Sequence, residues 1–308
     1  MHKNAKLDGK VALVAGATRG AGRAIAIELS RAGAFVYSTG RSSKFSGSSD
    51  IDRPETIEET EELMLEAGGK GKALRVDHLD VNAVRELVKK IETDHGQLDI
   101  LINDIFGGDR YMEWDKKLWE HDITGGLKML RMGIDTHLIT SAIAIPLLLR
   151  TGNGLIIEMT DGTFEYNVNF RKDVGFYYDM VKAAVGRIVI GLTAELKGES
   201  CTAVGVTPGW LRSEAMLQNF GVRESNWRDA VTRDPHFCIS ESPAYVARGI
   251  AELASDPNKG KWGGKILSSA ELSKVYGTTD IDGTRPDCWR YLVEVQDKGL
   301  PADDTGYR

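Results

Sequence analysis

The sequence predicts a doubly wound α/β fold, a parallel sheet with helices on both faces. Three observations predict it. Strand-like and helix-like patterns alternate for about 210 residues. The strand-like runs are almost continuously apolar, as strands buried on both faces must be. The first of them leads through a glycine turn straight into a helix pattern.

Val11–Ala15 reads as the first strand, and Gly16, Gly20 and Gly22 follow it. Glycines there let backbone N–H groups approach a phosphate closely. The helix patterned over Arg23–Arg31, with Ile25 and Leu29 among small residues, adds the favourable dipole of its N-terminus. Phe35–Thr39 is the second strand, and the polar, Gly/Ser-rich Ser42–Asp52 reads as a mobile surface loop. Pro54–Glu66 is a helix with acids in its first turn, where the dipole favours them. Strand Ala73–Val76, helix Asn82–Asp94 and strand Ile100–Asn103 come next. An irregular stretch, Asp104–Gly126, holds Trp114, Trp119 and the turn-like Gly107-Gly108-Asp109-Arg110. Helix Lys128–Leu149, strand Gly154–Met159, helix Tyr178–Leu196 and strand Thr202–Thr207 complete the alternation. A further irregular region, Trp210–Ser240, contains Ser213–His236, which reads as a helical lid of the kind that closes on substrate. Both irregular regions follow C-terminal strand ends, where open α/β sheets bind ligands. With no linker visible, residues 1–308 read as one domain with a lid at about 210–240 and an extension at about 271–308. Within the extension, Thr278–Trp289 is expected to cover either a neighbouring subunit or the active site.

Composition narrows the function classes. A net charge of −6 speaks against nucleic-acid or membrane-surface partners. Met1–Lys6 has no apolar leader run. Leu138–Leu149, broken by Thr140, Ser141 and Pro146, reads as too short and too polar to span a bilayer. Cys201, Cys238 and Cys288 are scattered and odd in number, which suits three free thiols in a reducing compartment. His78, His95 and His121 show no metal-ligand spacing, so no metal is expected. The expectation is a cytoplasmic protein acting on a small molecule.

The Gly16/Gly20/Gly22 spacing is GxxxGxG, and with Tyr178-Asp179-Met180-Val181-Lys182 it resembles the short-chain dehydrogenase/reductase family. Leu101-Ile102-Asn103-Asp104 resembles that family's Asn-Asn-Ala-Gly strand end, Val76-Asp77 its adenine-contacting aspartate, and Pro208-Gly209 its Pro-Gly turn. The resemblance covers roughly residues 7–270. It implies a Rossmann-type sheet of about seven strands, and a homodimer or homotetramer packed through helices 128–149 and 178–196. It also implies a cofactor site formed by Gly16, Thr18, Arg19, Gly20 and Gly22, with Asp77 and His78 near the adenine. Asn103 would lie beside the ribose and Lys182 on the nicotinamide ribose, with Pro208, Gly209, Leu211 and Ser213 towards the carboxamide.

An acid ending the second strand would bind the ribose 2′-hydroxyl of NAD and repel the 2′-phosphate of NADP. Gly40 occupies that place and Arg41 follows. Arg41 and Arg19 offer forked donors to a phosphate, and Ser42 and Ser43 offer hydroxyls. The cofactor expected is therefore NADP(H).

Hydride delivery to a carbonyl leaves negative charge on oxygen that an acid must quench. Tyr178 and Lys182 stand four apart on one helix face, and a neighbouring ammonium is expected to lower the tyrosine pKa. Two departures from the family qualify this pair. At the end of the fifth strand, Asp161 takes the place of the usual substrate-binding serine. An ionised Asp161 would oppose an alkoxide, a protonated one would donate to it, and a third reading makes it the binder of a cationic or hydroxylated substrate. Thr160 or Thr163 offers the hydroxyl instead, and these alternatives stay open. Gly133 occupies the place of the family's fourth-helix asparagine, with Asp135 or His137 as substitutes and His137 read as a packed helix residue.

Phe106, Phe164, Tyr177 and Trp210, together with Trp114, Tyr166, Met216 and Phe220, fall on segments expected around the nicotinamide end. The function expected is hydride transfer between nicotinamide and a small-molecule carbonyl or alcohol. The alternatives are a catalytically weak or inactive nucleotide-binding regulatory or scaffold protein, and a C=C reductase on the same fold.

Overall fold

The computed structural model describes residues 5–308, so Met1–Asn4, part of the segment read as lacking a leader, lies outside the described residues. Strand β1 (Val11–Ala15) is buried at every position. Its Ala12 and Val14 enter one hydrophobic layer while Val11 and Leu13 enter the other. Side chains of a strand point alternately to opposite faces, so a strand covered on both sides has no polar alternate.

Helix α1 (Gly20–Arg31) starts earlier than its apolar pattern, because Gly20 and Gly22 carry no periodic signal. It buries Ile25, Ala26 and Leu29. After β2 (Phe35–Gly40), helix α2 (Ile57–Glu66) begins at a Thr56/Glu59 capping box, which leaves Pro54 and Glu55 outside it. The segment Ser42–Asp52 is tied down more than a free surface loop: Ser42 and Ser43 are buried, and Ser43 Oγ donates to Glu58 Oε1 at 2.6 Å. Strand β3 is Lys70–Arg75, earlier than Ala73–Val76. It forms the sheet edge, and its polar start hid it from a search for apolar runs.

Helix α3 (Val81–His95) is capped by Asp80, whose side chain accepts from the N–H groups of Asn82 and Ala83. Strand β4 is Ile100–Asn103. The long fourth helix is divided into α4 (Ile123–Leu130), a π turn at Arg131–Asp135, and α5 (Thr136–Leu148). Beyond it lie β5 (Gly154–Met159), α6 (Phe164–Asn167), α7 (Phe176–Glu195) and β6 (Cys201–Thr207). The chain continues with α8 (Glu214–Phe220), α9 (Pro243–Ser255), β7 (Ile266–Ser268), α10 (Ser269–Tyr276) and α11 (Cys288–Tyr291).

All seven strands pair in parallel, in the order β3-β2-β1-β4-β5-β6-β7. Helices α1, α2 and α9 pack on one face through Ile25, Met64, Val246 and Ile250. Helices α3 and α5 cover the other through Val84, Ile91, Ala144 and Leu148. Strand order reverses between β1 and β4, which opens a crevice at their C-terminal ends.

The apolar segment read as Leu138–Leu149 is part of a longer helical run, Ile123–Thr151, of 29 residues. By length and composition that run is able to cross a membrane, and half of it is buried within this fold. Its Thr136, His137, Thr140 and Ser141 are buried in polar contacts.

Candidate active site

A cleft of about 760 Å³ runs along the C-terminal strand ends from the glycine turn to α11. Gly16 and Gly20 line it, both with positive φ. A Cβ at Gly16 would lie 2.1 Å from the Asp104 carbonyl oxygen, so only glycine closes this turn. Gly22 does not line the cleft. It packs α1 against the turn, where a Cβ would meet the Gly16 carbonyl oxygen at 2.3 Å. Thr18 and Arg19 face the cleft, and Arg19 pairs with Asp109 at 3.4 Å. The Gly20 N–H at the head of α1 donates to Glu214 Oε2 at 2.8 Å, which joins the glycine turn to the lid segment.

Gly40 has a steric cause as well as an electrostatic consequence. A Cβ there would lie 2.0 Å from Thr18 Oγ1, so any side chain at this position would have to displace the Thr18 hydroxyl. Arg41 and Ser42 line the adjoining wall, with Arg41 Nη1 on Asp50 Oδ1 at 2.9 Å. Asp77 and His78 line it too. The His78 ring is held between the Thr39 and Thr140 hydroxyls at 2.8 and 2.7 Å, and burial pushes its pKa down to about 3.

Asn103 departs from expectation. Its amide donates to Ser141 Oγ at 2.8 Å and Glu158 Oε1 at 2.9 Å, and it is fully buried away from the cleft. Glu158, buried in β5, draws it inward together with His137, whose Nδ1 lies 2.5 Å from Glu158 Oε2. A buried carboxylate must gather such partners. Asp104 faces the cleft in the place expected of Asn103, and desolvation raises its pKa to about 6.

Helix α7 brings Tyr178 and Lys182 to the cleft, with Lys182 Nζ 5.3 Å from the Tyr178 ring centroid and 4.1 Å from that of Phe106. Phe106 stands edge-on to Tyr178 at 5.7 Å. The expected lowering of the tyrosine pKa does not occur. Burial and the nearby Asp161 carboxylate raise Tyr178 well above its ordinary value, and burial lowers Lys182.

Asp161 is the group at the usual serine position that meets Tyr178. Its Oδ2 accepts from Tyr178 Oη at 2.8 Å and from Arg171 Nη1 at 3.2 Å. Two donors converging on one oxygen, one of them a guanidinium, favour the carboxylate over a protonated, donating Asp161. Thr160 lines the cleft but its hydroxyl donates to the Lys182 carbonyl at 2.8 Å. Thr163 lies outside the cleft, where its side chain caps α6 by accepting from Tyr166 N–H. A Cβ at Gly133 would lie 2.3 Å from Val181 Cγ1, so no asparagine fits between α7 and the π turn. Neither proposed substitute faces the cleft. Asp135 pairs with Arg131, and His137 is committed to Glu158 and to the Ile105 carbonyl.

Of the aromatic candidates, Phe106, Trp210, Trp114 and Tyr166 line the cleft, as does Met216. Phe164 packs beneath Gly186, and Tyr177 fills the space over Gly126 beside His121. Phe220 packs on Phe237. These three side chains are drawn off by neighbouring glycines and by the lid's own apolar cluster. Leu211, Ser213, Pro208 and Gly209 do line the cleft.

Arg171 and Gln296 are lining residues that sequence reasoning missed, whereas Trp289 ends the Thr278–Trp289 segment expected to cover a neighbouring subunit or the active site. Trp289 is fixed by its indole N–H to the Pro208 carbonyl at 2.9 Å and packs on Tyr166 with ring centroids 4.9 Å apart. The C-terminal extension therefore closes this chain's own cleft. Among the described residues, no cluster of His, Cys, Asp and Glu is arranged to hold a metal, and the three cysteines are free and buried.

Comparison with known proteins follows the same lines. A family model described as short chain dehydrogenase matches residues 10–222. The chain is 30% identical over 285 residues to dehydrogenase/reductase SDR family member 1 of Mus musculus, covering 91% of this chain and 85% of that relative. Its fold is similar to a crystal structure of a dehydrogenase from Xanthomonas campestris, with TM-score 0.71, 21% identity, and 91% and 93% of the two chains covered. It is also similar to a metagenomic short-chain oxidoreductase solved in complex with NADP, with TM-score 0.62, 20% identity, and coverage of 85% and 96%.

Proposed function

The chain belongs to the short-chain dehydrogenase family and is an NAD(P)-dependent oxidoreductase acting on CH–OH or C=O groups, and from that premise we propose that it reduces a small-molecule carbonyl with NADPH. The observation that carries this reading is one continuous cleft with the Gly16–Gly20 turn at one end and Tyr178 with Lys182 at the other. The lining fits the cofactor: a helix N-terminus and glycine backbone suit the pyrophosphate, and Arg41, Arg19 and Ser42 suit a 2′-phosphate. Bound there, NADPH supplies the hydride.

Tyr178 supplies the proton, and Lys182 holds the ribose and offsets charge beside the phenol. The raised Tyr178 pKa favours reduction, because the hydroxyl stays protonated through the neutral range. Phe106 packs T-shaped against the Tyr178 ring at 5.7 Å. The α8 end of the lid and the Trp289 wall enclose the substrate end.

A homo-oligomer packed through residues 128–149 and 178–196 is part of the proposal. Leu138, Met180 and Ile190 are exposed apolar side chains on those segments. A cytoplasmic location goes with the three free thiols.

Cofactor choice is tested at Arg41. Arg41→Ala is expected to weaken NADPH binding about 10–100-fold, the worth of a charge-assisted contact, and to leave NADH binding nearly unchanged. Fluorescence titration of both nucleotides reads this directly. Equal losses for the two would contradict a 2′-phosphate role.

A further inference from the structure

The two oxygens of Asp161 are in different circumstances. Oδ2 is taken by Tyr178 Oη and Arg171 Nη1. No described residue donates to Oδ1, and that atom is not sealed inside the fold. The Asp161 side chain is 32% exposed, and it lines the cleft. Arg171 is the reverse case. Its Nε and Nη2 are sealed from solvent without hydrogen-bond partners, with Nε 3.9 Å from Asp179 Oδ1. The nearby hydroxyls are committed as well: Thr160 to the Lys182 carbonyl and Thr163 to the α6 cap. The substrate end therefore presents a proton-donating phenol beside a carboxylate oxygen that only accepts.

Such a pair reads two neighbouring groups of a ligand at once. When a substrate binds, the Tyr178 O–H turns from Oδ2 to the reacting carbonyl oxygen, and Oδ2 keeps Arg171. The adjacent carboxylate repels that oxygen unless a hydrogen-bond donor accompanies it. We propose that Asp161 selects carbonyl substrates bearing a hydroxyl on the carbon next to the reacting one, with that hydroxyl donating to Oδ1. The substrate class is α-hydroxy ketones and aldehydes. The inference rests on the reductase reading above and adds the substrate class. A neutral hydroxyl is sufficient as the donor, because Arg171 already pairs with the carboxylate at 3.2 Å. The reaction balances as hydride from NADPH to the carbonyl carbon and a proton from Tyr178 to its oxygen. The products are a vicinal diol and NADP⁺, and solvent returns the proton to Tyr178.

Matched substrate pairs test this: acetoin against butanone, and α-hydroxyacetophenone against acetophenone, each with NADPH. The wild type is expected to favour the hydroxylated member about 10–100-fold in kcat/KM, the worth of one hydrogen bond to a carboxylate. In Asp161→Ser the preference is expected to fall to about twofold or less, with butanone turnover rising and NADPH affinity unchanged. Asp161→Asn keeps the side-chain shape and is expected to lose the preference as well, which covers the case of a serine variant that does not fold. Equal turnover of both members by the wild type overturns the inference and leaves the reductase reading standing. A preference that survives in both variants also overturns it. Turnover of none of the four, nor of a wider aldehyde and ketone panel, by NADPH-bound enzyme overturns the reductase reading itself.

Discussion

Replacing Tyr178 with phenylalanine is expected to lower the rate of carbonyl reduction about 10²–10⁴-fold while leaving NADPH affinity unchanged. The hydroxyl is the proton donor nearest the substrate end, and removing it leaves the alkoxide unquenched. The ring itself stays, and it keeps its packing against Phe106. The loss should therefore fall on kcat rather than on stability. The pH dependence has a definite sign. Burial and Asp161 hold Tyr178 well above its ordinary value, so the donor stays protonated and reduction by the wild type should not fall through the neutral range as pH rises. The reverse oxidation needs the deprotonated group and should rise with pH over the same range. Full turnover by the Tyr178→Phe variant on a verified substrate would end the assignment.

The second large effect concerns stability. Asp280→Ala is expected to destabilise the fold by about 3–5 kcal/mol, as breaking a buried ion pair from one side does. Asp280 is 1% exposed and accepts from Arg212 Nη2 at 3.1 Å, Ser242 N–H at 3.0 Å and Ile281 N–H at 2.7 Å. Arg212 is itself buried, stacks on Trp227 at 4.3 Å and pairs with Glu224 at 2.7 Å. Arg308 approaches the same carboxylate at 3.7 Å and pairs with Asp282 at 2.7 Å. This cluster clamps the lid segment and the extension together. Removing its central acid takes from Arg212 its fully buried countercharge, leaves it only the part-exposed Glu224, and strips the Ser242 and Ile281 N–H groups of their acceptor. Denaturant unfolding with an Asp280→Asn comparison reads the cost, and a loss below about 1 kcal/mol would mean the clamp is a surface-like pair.

The glycine-turn end of the cleft was largely legible from the chain. Gly16 and Gly20 announced a turn that only glycine closes, and Gly40 marked the absence of an acid. Tyr178 and Lys182, four apart on α7, face the cleft together as helical spacing requires. Other features were hidden for physical reasons. Lys70–Arg75 is an edge strand whose polar side chains mask its pairing. Strand β7 is three residues long and gives no pattern to read. Asn103 matched a motif, but Glu158 within Leu155-Ile156-Ile157-Glu158-Met159 was the overlooked signal. A charge in a strand buried on both faces must recruit partners, and Asn103 is one of them.

The substrate half is built across long sequence separations. Trp289 reaches Pro208 from 81 residues away, and spacing along the chain does not disclose that contact. Arg171 lies in a loop without periodicity, ten residues beyond the Asp161 it holds. The open question at Asp161 therefore becomes a geometric one: Oδ2 accepts from Tyr178 and Arg171, and no described residue donates to Oδ1.

Hydride transfer to a carbonyl carbon is the central claim, and isotope transfer tests it most directly. NADPH deuterated at nicotinamide C4, incubated with the enzyme and α-hydroxyacetophenone, is expected to place deuterium on the carbinol carbon of the diol product. Tyr178→Phe should form little of that product. Deuterium on a carbon of a reduced C=C bond in an enone panel, or NADPH binding without label transfer to any carbonyl, would contradict the account.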